Sequence, residues 1–505
     1  MAAIEKAPNK APALSPGGGR LGSYVRDILA TYLDAWVAQR DVALSVDPYL
    51  RGEHPLPIAS QSQTKTELEQ LRTLAFTPYA RLILNSSIQA LNIKGVRVEG
   101  ADDQPEAWKK FWIRNGMEAR QLARWRAAVG YGHGYSSVLP GELGLKGEEG
   151  LVVRHYTPKT MTAFYADSFD PYPAIALNGI EQTDDRGQVY WLFEIFDDTY
   201  VHFAYVRDLI LAAPSRGIKV EYLESRPHGA PVTPITYHTP LMDDDGGSRG
   251  EIVPFLPIIA RLDQSVYDRL LIQRQAAWKV RTATGLKKPQ GSTAQANLQA
   301  TLKAGDLLTS DSPETTFGTL EASSMAEHLT TRDSDLRDLA TSSQTPSWML
   351  TGESSNLSSE AMSAITSGYQ QKIETYKRSL GLSSRREFEL VGAMDPSLSV
   401  EEGELEIRWA EFRPYSLTQI SDSLGKLSQQ LEVDPTLLYE FIPFFSDEDV
   451  ERATQKRQEM KDEALAMAEA EAAAAQANAP APGGGSPDAK RSRGSAGDSG
   501  QNPRS

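Results

Sequence analysis

A regular spacing of apolar residues near position 370 places the strongest restriction on the fold. Six apolar side chains follow one another at intervals of three or four residues: Met362, Ile365, Tyr369, Ile373, Tyr376 and Leu380. This alternation is typical of one face of an α-helix that packs along a helical neighbour. The pattern predicts a long helix over residues 358–394 with an apolar seam.

A polar loop is predicted directly before this helix. Trp348, Met349 and Leu350 are followed by the run Thr-Gly-Glu-Ser-Ser-Asn, and residues 343–357 contain no Lys or Arg. Because a compact core has little room for so many hydroxyl and amide groups without partners, this run is expected to be exposed.

Two further helices are predicted upstream of the loop. One covers residues 258–278, with a stripe of Ile259, Leu262, Val266 and Leu270, and the other covers residues 324–342, with Leu336 and Leu339. Each has a narrow apolar stripe and is otherwise polar, which suits a wall in which helices pack on their copies in neighbouring subunits. In the intervening residues 279–323, apolar residues do not recur at helical or strand spacing over any long stretch.

Residues 24–257 combine helices with strands. Helical spacing predicts helices from Tyr24 to about Arg40, from Tyr79 to Leu91 and from Glu106 to Val129. Runs rich in Val, Tyr and Phe over 135–214 predict an antiparallel sheet of about five strands. Residues 217–250 are expected to be an exposed loop or hairpin.

The C-terminal part begins with a lone strand over 404–412, which we expect to join a sheet begun much earlier in the chain. Helices are predicted over 416–470, with Ser416 and Asp434 as caps. Residues 1–23 and 471–505 are expected to be a flexible leader and a disordered tail. The sequence therefore predicts an α+β fold.

Composition and motifs argue against most catalytic classes. The chain of 505 residues has a formal net charge of −15 and no cysteine. It lacks G-x-x-x-x-G-K-[ST], and Gly130, Gly132 and Gly134 are not spaced as in a dinucleotide site. No stretch reaches the roughly 18 apolar residues of a membrane span. We therefore predict no enzyme activity, no metal and no cofactor; an alternative is a hydrolase or transferase that uses His155, Asp167 and Asp170.

Four stretches, taken in order, resemble the portal proteins of tailed bacteriophages, the head-tail connectors of siphovirus type. They are ARLILNSSIQALNIKGVRVEG, WRAAVGYGHGYSSVLPG ahead of the strand-rich region, RLDQSVYDRLLIQRQAAW, and the loop followed by SSEAMSAITSGYQQKIETYKRS. The resemblance runs from about Tyr24 to about Ala468. It implies a dodecameric ring at one capsid vertex of the virion, made in the host cytoplasm, through which double-stranded DNA is packaged and ejected.

The resemblance also assigns parts to the subunit: a wing (24–257 and 395–415), two stem helices (258–278 and 324–342), a clip (279–323), a channel loop (343–357), a spine helix (358–394) and a helical crown (416–470). The DNA-channel loop would present Ser347, Trp348, Thr351, Glu353, Ser354, Ser355 and Asn356. The clip residues Lys279, Arg281, Lys287 and Lys288 would meet the terminase large subunit and later a head-completion adaptor protein. The seam residues Met362, Ile365, Tyr369, Ile373 and Tyr376 would contact neighbouring subunits.

Further partners implied by the resemblance are the major capsid and scaffold proteins, with the ring nucleating procapsid assembly. A channel through which DNA slides should avoid strong contacts between cations and phosphates, and the loop without Lys or Arg agrees with this expectation. The alternative among non-enzymatic structural proteins is another virion component, such as a minor capsid or tail-connector protein.

Overall fold

The computed structural model describes residues 18–55, 66–98, 106–143, 148–167, 170–183, 187–207, 209, 219–243, 247–277, 281–284, 316–319, 325–352, 359–399, 405–410, 417–431, 433–442, 445 and 447–477. The chain has the predicted α+β fold and divides into two compact units, Met1–Ala410 and Glu411–Ser505. Residues 1–17 of the predicted leader and 478–505 of the predicted tail lie outside the described residues. The predictions were wrong for residues 18–23 and 471–477, which are helical.

The first unit begins with helices α1 (Gly18–Arg51), α2 (Thr66–Leu74) and α3 (Tyr79–Gln89), strand β1 (Ile93–Val98), and helices α4 (Glu106–Arg114) and α5 (Met117–Tyr131). The prediction that the first helix ends near Arg40 was wrong. It continues through Pro48 because Val46 and Leu50 bury their side chains in the core. The predicted helix over 106–129 is two helices, since Gly116 has a φ of +58° and breaks the helical path.

Eight strands follow: β2 (Gly134–Leu143), β3 (Glu148–Tyr156), β4 (Met161–Phe164), β5 (Ile175–Thr183), β6 (Val189–Phe196), β7 (Tyr200–Arg207), β8 (Lys219–Pro227) and β9 (Ile235–His238). They form two antiparallel sheets rather than the single predicted one, in the orders β3-β2-β9 and β4-β5-β6-β7-β8. The prediction of an exposed loop or hairpin over 217–250 was wrong in part, because the segment contains β8 and β9, which belong to different sheets. In β8, half-buried Val220 and Tyr222 alternate with exposed charged residues, which is the strand pattern.

The first unit is completed by α6 (Leu256–Ala277), β10 (Arg281–Thr284), β11 (Thr316–Thr319), α7 (Met325–Ser342), α8 (Ser347–Thr351), α9 (Ser359–Met394) and β12 (Leu405–Trp409). Strands β10 and β11 pair antiparallel. Strand β12 pairs antiparallel with β1, so that Val98 faces Leu405 and Ile93 faces Trp409. The expectation that the late strand returns to an early one is confirmed.

Two large cores hold this unit together. One joins α3, α5, α6, α7 and α9, with Ile83, Leu262, Leu339 and Ile373 all buried. The other packs α1 on the five-stranded sheet, where the Trp36 ring lies 5.2 Å from the Phe193 ring and its indole N–H donates to the Thr160 carbonyl at 2.8 Å. Apolar burial therefore fixes α1 to the five-stranded sheet, while α6, α7 and α9 share a separate core.

The second unit contains α10 (Leu417–Gln430), α11 (Pro435–Leu438) and α12 (Asp447–Ala477). Asp434 is the N-cap of α11, and its carboxylate accepts from the Thr436 N–H at 3.0 Å. Lys461 of α12 donates to the same carboxylate at 2.7 Å. The hydrogen bond from Lys461, and to a smaller extent those from Thr436, hold the pKa of Asp434 well below its usual value. The predicted cap at Asp434 is confirmed, whereas Ser416 lies outside the described residues.

Candidate functional site

The base of the predicted channel loop is a helix end with an unusual residue. After α7 the N–H of Thr345 donates to the Ala340 carbonyl at 3.0 Å, and the N–H of Gln344 donates to the Thr341 carbonyl at 3.2 Å. This pair of bonds is a Schellman motif, which favours glycine at its left-handed position. Here that position is Gln344, with a φ of +52°.

Replacing Gln344 with glycine is expected to raise the free energy of unfolding by about 0.5–1 kcal/mol, because glycine adopts this conformation without steric cost. Gln344→Ala is the matched control, since it shortens the side chain but keeps the Cβ atom that causes the strain. Urea denaturation of both variants measures the effect. Equal stability of the glycine and alanine variants would contradict it.

The first half of the predicted loop is partly helical, which corrects the prediction of an open loop over 343–357. Pro346 caps the short helix α8, and Gly352 ends it with a φ of +72°. Leu350 is buried in the main core, while Ser347 and Thr351 are exposed and Trp348 is half-buried. The helix forms because Leu350 has a core position to fill. Of the other predicted channel residues, Glu353, Ser354, Ser355 and Asn356 lie outside the described residues.

A buried ion pair anchors the base of this loop to α9. The Lys372 ammonium donates to Glu251 Oε1 at 2.7 Å and to the Ser343 carbonyl at 2.8 Å, and Ser87 donates to the same carboxylate oxygen at 2.8 Å. The side chains of Lys372 and Glu251 are 8% and 3% exposed. Burial raises the pKa of Glu251, and Lys372 opposes that rise. The backbone directly after α7 is therefore fixed to the long helix α9 at Ser343.

Close backbone packing brings Glu251 to this position. The N–H of Glu251 donates to the Val129 carbonyl at 2.9 Å. A Cβ atom at Gly250 would lie 2.1 Å from the Gly130 carbonyl oxygen, and one at Gly132 would lie 2.5 Å from the Arg249 backbone. At Gly132 and Gly250 the two backbone segments therefore approach too closely to leave room for a side chain.

The seam of α9 packs inside the subunit, so the prediction that its middle residues contact neighbouring subunits was wrong. Tyr369, Ile373 and Tyr376 are 2%, 2% and 3% exposed within one chain and belong to the core that also contains residues of α6 and α7. A side chain already covered by its own chain has no surface left for a neighbour. Met362 and Ile365 are in α9, but their side chains lie outside the described set.

The two predicted stem helices pack against each other through Leu262 of α6 and Leu336 and Leu339 of α7. An ion pair also joins the two helices, with Arg261 Nε of α6 lying 2.9 Å from Asp335 Oδ1 of α7. The exposed ones among the described side chains of α7 are mostly acidic or hydroxylic, with one exposed cation, Arg337, and one exposed large apolar residue, Leu329. The acidic and hydroxylic ones are Glu327, Thr330, Thr331, Asp333, Ser334, Asp338, Thr341 and Ser342. This face offers few fixed positive charges to a polyanion.

Little of the predicted clip is described. Arg281 begins β10, which pairs with β11 from Arg281 opposite Thr319 to Thr284 opposite Thr316. Lys279, Lys287 and Lys288 lie outside the described residues. The segment between α6 and α7 thus contains a short two-stranded ribbon, which the sequence reading had not predicted.

The residues of the alternative catalytic site do not form a reactive arrangement. Asp167 and Asp170 make an exposed turn, in which the Asp167 N–H donates to the Asp170 carboxylate at 3.0 Å. His155 lies near Arg124 and Glu387, and burial first, then Arg124, lowers its pKa to about 3. Within the described ranges, no three His, Asp or Glu side chains come together as a metal site.

A buried charged network was missed by the sequence reading. Arg124 of α5 donates to Glu387 of α9 at 2.8 Å, and both side chains are at most 1% exposed. Glu387 also accepts from Ser136, and His238 lies 3.1 Å from it. Burial alone would raise the pKa of Glu387, but Arg124 and His238 hold it well below its usual value. The network ties α9 to α5, β2 and β9, and its parts are too distant in sequence to be paired by inspection.

The fold thus places two packed helices, α6 and α7, ahead of the short helix α8 and the long helix α9 in the chain. The family described as "Phage portal protein, SPP1 Gp6-like" matches residues 29–472. The chain therefore belongs to this phage portal protein family, as its resemblance had indicated.

Other comparisons are more distant. A chain from the structure titled "Neck of empty GTA particle computed with C6 symmetry" has 11% sequence identity and a TM-score of 0.37, covering 76% of this chain and 92% of that chain. No curated protein matches the sequence. Among the helices of the described ranges, none has the length and hydropathy needed to cross a bilayer.

Proposed function

We propose that this chain is the subunit of a homo-oligomeric, dodecameric ring that forms the DNA channel at one vertex of the capsid. The observation that carries the proposal is the family match over residues 29–472. In this role the protein is a component of the virion, made in the host cytoplasm, and conducts double-stranded DNA during packaging and ejection without catalysing a reaction.

The channel would be lined by α7 and by residues 343–357. Each fixed contact between a cation and a phosphate adds a barrier that DNA must cross as it moves, and this loop contains no Lys or Arg. Acidic and hydroxyl groups on the exposed face of α7 support the same role. The chain's formal charge of −15, repeated around a ring, would repel DNA from the wall.

The remaining parts would serve docking and assembly. Residues 24–257 with β12 would be the wing, α6 and α7 the stem, 279–323 the clip and α10–α12 the crown. The clip would bind the terminase large subunit during packaging and a head-completion adaptor protein afterwards. The wing and crown would contact the major capsid and scaffold proteins, so that the ring starts procapsid assembly.

Replacing Glu353 and Asn356 together with lysine tests the channel assignment. In the phage that encodes the chain, we expect rings of normal size but at least a several-fold loss of packaged DNA per capsid, because lysines would bind phosphates as they pass. Negative-stain images measure ring formation, and nuclease-protected DNA measures packaging. Asp27→Lys, an exposed position on α1, is the control for added positive charge.

Packaging at the wild-type level in the lysine variant, with rings present, would show that residues 353–356 do not face DNA at a constriction. If Asp27→Lys lost as much packaged DNA, the effect would come from the added net charge and not from the position of the lysines in the loop.

A further inference from the structure

An open groove of about 750 Å³ follows the C-terminal half of α9. Residues 171–172 and 231–232, which include two prolines, form its other walls. Leu382 on α9 is 50% exposed there, and Arg385, Arg386 and Glu389 also line the groove. Among the described residues, the Nε atom of Arg385 is buried without a hydrogen-bond partner. The groove thus combines apolar walls with a net positive charge.

An exposed apolar segment with the opposite charge lies elsewhere on the same unit. Leu241 and Met242 are 47% and 61% exposed, and within the described part of the chain they are the one pair of consecutive large apolar residues that are both exposed. Asp243 follows them and lies 3.4 Å from Arg249. The side chains of Arg249 and Asp243 are 74% and 42% exposed, so the ion pair is screened by water and contributes little, which leaves Asp243 able to bind another cation. We call residues 241–243 the knuckle.

The knuckle and the groove are separate places on the subunit, because none of residues 241–243 lines the groove. Leu241 and Asp243 line a different cavity, which Lys372 and Tyr376 of α9 also line. The Ser379 hydroxyl donates to the Thr239 carbonyl at 2.6 Å and so ties the chain just before the knuckle to α9. At a helix rise of about 1.5 Å per residue, Leu382 and Arg386 lie roughly 5 Å and 10 Å further along α9 than Ser379.

We propose that the knuckle of one subunit binds the α9 groove of the next copy of this chain, with Met242 against Leu382 and Asp243 against Arg385 and Arg386. Two complementary surfaces at separate places on one subunit make a head-to-tail contact, and such contacts close into rings when the rotation between copies allows. The inference rests on the proposed ring and specifies how neighbouring subunits hold each other.

Charge reversal on each side tests the contact. Asp243→Arg, and separately Arg385→Glu with Arg386→Glu, are each expected to lower the fraction of protein in rings about tenfold at fixed concentration, because like charges would face each other. Combining all three substitutions should restore most of the rings. Sedimentation velocity and negative-stain images measure the ring fraction, and tryptophan fluorescence confirms that each variant is folded.

Arg378→Glu, an exposed position on α9 outside the groove, is the matched control and should assemble normally. Normal assembly of both reversed variants would overturn the inference and leave the groove to a partner other than a second copy. If the variant with all three substitutions is folded but does not regain rings, the proposed pairing of Asp243 with Arg385 and Arg386 would be overturned. Since wild-type rings are the reference, either result leaves the proposed portal function intact, whereas absence of wild-type rings contradicts that function itself.

Discussion

Arg124→Met is expected to lower the free energy of unfolding of the first unit by about 3–5 kcal/mol, the cost of leaving one partner of a buried ion pair uncompensated. Glu387 would remain buried with only Ser136 and His238 as partners. All eight tryptophans lie before residue 410, so urea denaturation followed by tryptophan fluorescence reports on this unit alone.

Arg120→Met is the matched control for this prediction. It removes the same group from an exposed position on the same helix and should change the free energy of unfolding by less than about 0.5 kcal/mol. Adding Glu387→Gln to Arg124→Met removes the unpaired charge and should recover at least half of the loss. A loss below about 1 kcal/mol in Arg124→Met would mean that the buried pair does not stabilise the fold.

Lys372→Met is expected to lower the free energy of unfolding by about 3–5 kcal/mol at pH 8 and by less at pH 5. The pH dependence follows from Glu251, whose pKa is already raised by burial and would rise further without Lys372. An acid whose pKa is higher in the folded state takes up a proton on folding. The free-energy cost of burying its carboxylate therefore disappears as the pH falls towards the pKa that the acid has in the unfolded chain. Urea denaturation at both pH values measures the difference.

Two comparisons make the Lys372 prediction specific. Arg378→Met removes an exposed cation from the same helix and should have little effect at either pH. Lys372→Met combined with Glu251→Gln should be more stable than Lys372→Met at pH 8 and should lose the pH dependence. A loss for Lys372→Met that is the same at pH 5 and pH 8 would show that Glu251 is not the group responsible.

The spacing of apolar residues predicted the bounds of α6, α7 and α9 well, but not which elements pack against them. The seam of α9 requires a partner along its length, and the sequence pattern is the same whether that partner belongs to the same chain or to another copy. Tyr369 and Ile373 are buried within one chain, in a core shared with residues of α6 and α7, and strands β9 and β12 also pack against α9. The predicted ends of α6 and α7 were within two residues, because their stripes begin and end clearly.

The buried charges could be predicted only in part. Arg124 lies on the face of α5 that also buries Met117, Gln121 and Ala128, and a cation on a buried face needs a partner. Glu387 is 263 positions away, and the fold alone brings the two together. Similarly, the apolar triplet at 348–350 resembled the start of a loop, because its helix depends on a core position for Leu350 that local spacing does not reveal.

An electron cryomicroscopy reconstruction of the purified, assembled protein tests the central claim most directly. The account predicts a closed ring with a central hole, with the exposed face of α7 and residues 343–357 bordering that hole. Only monomers or dimers at every concentration examined, or a ring in which residues 343–357 face outwards, would contradict it.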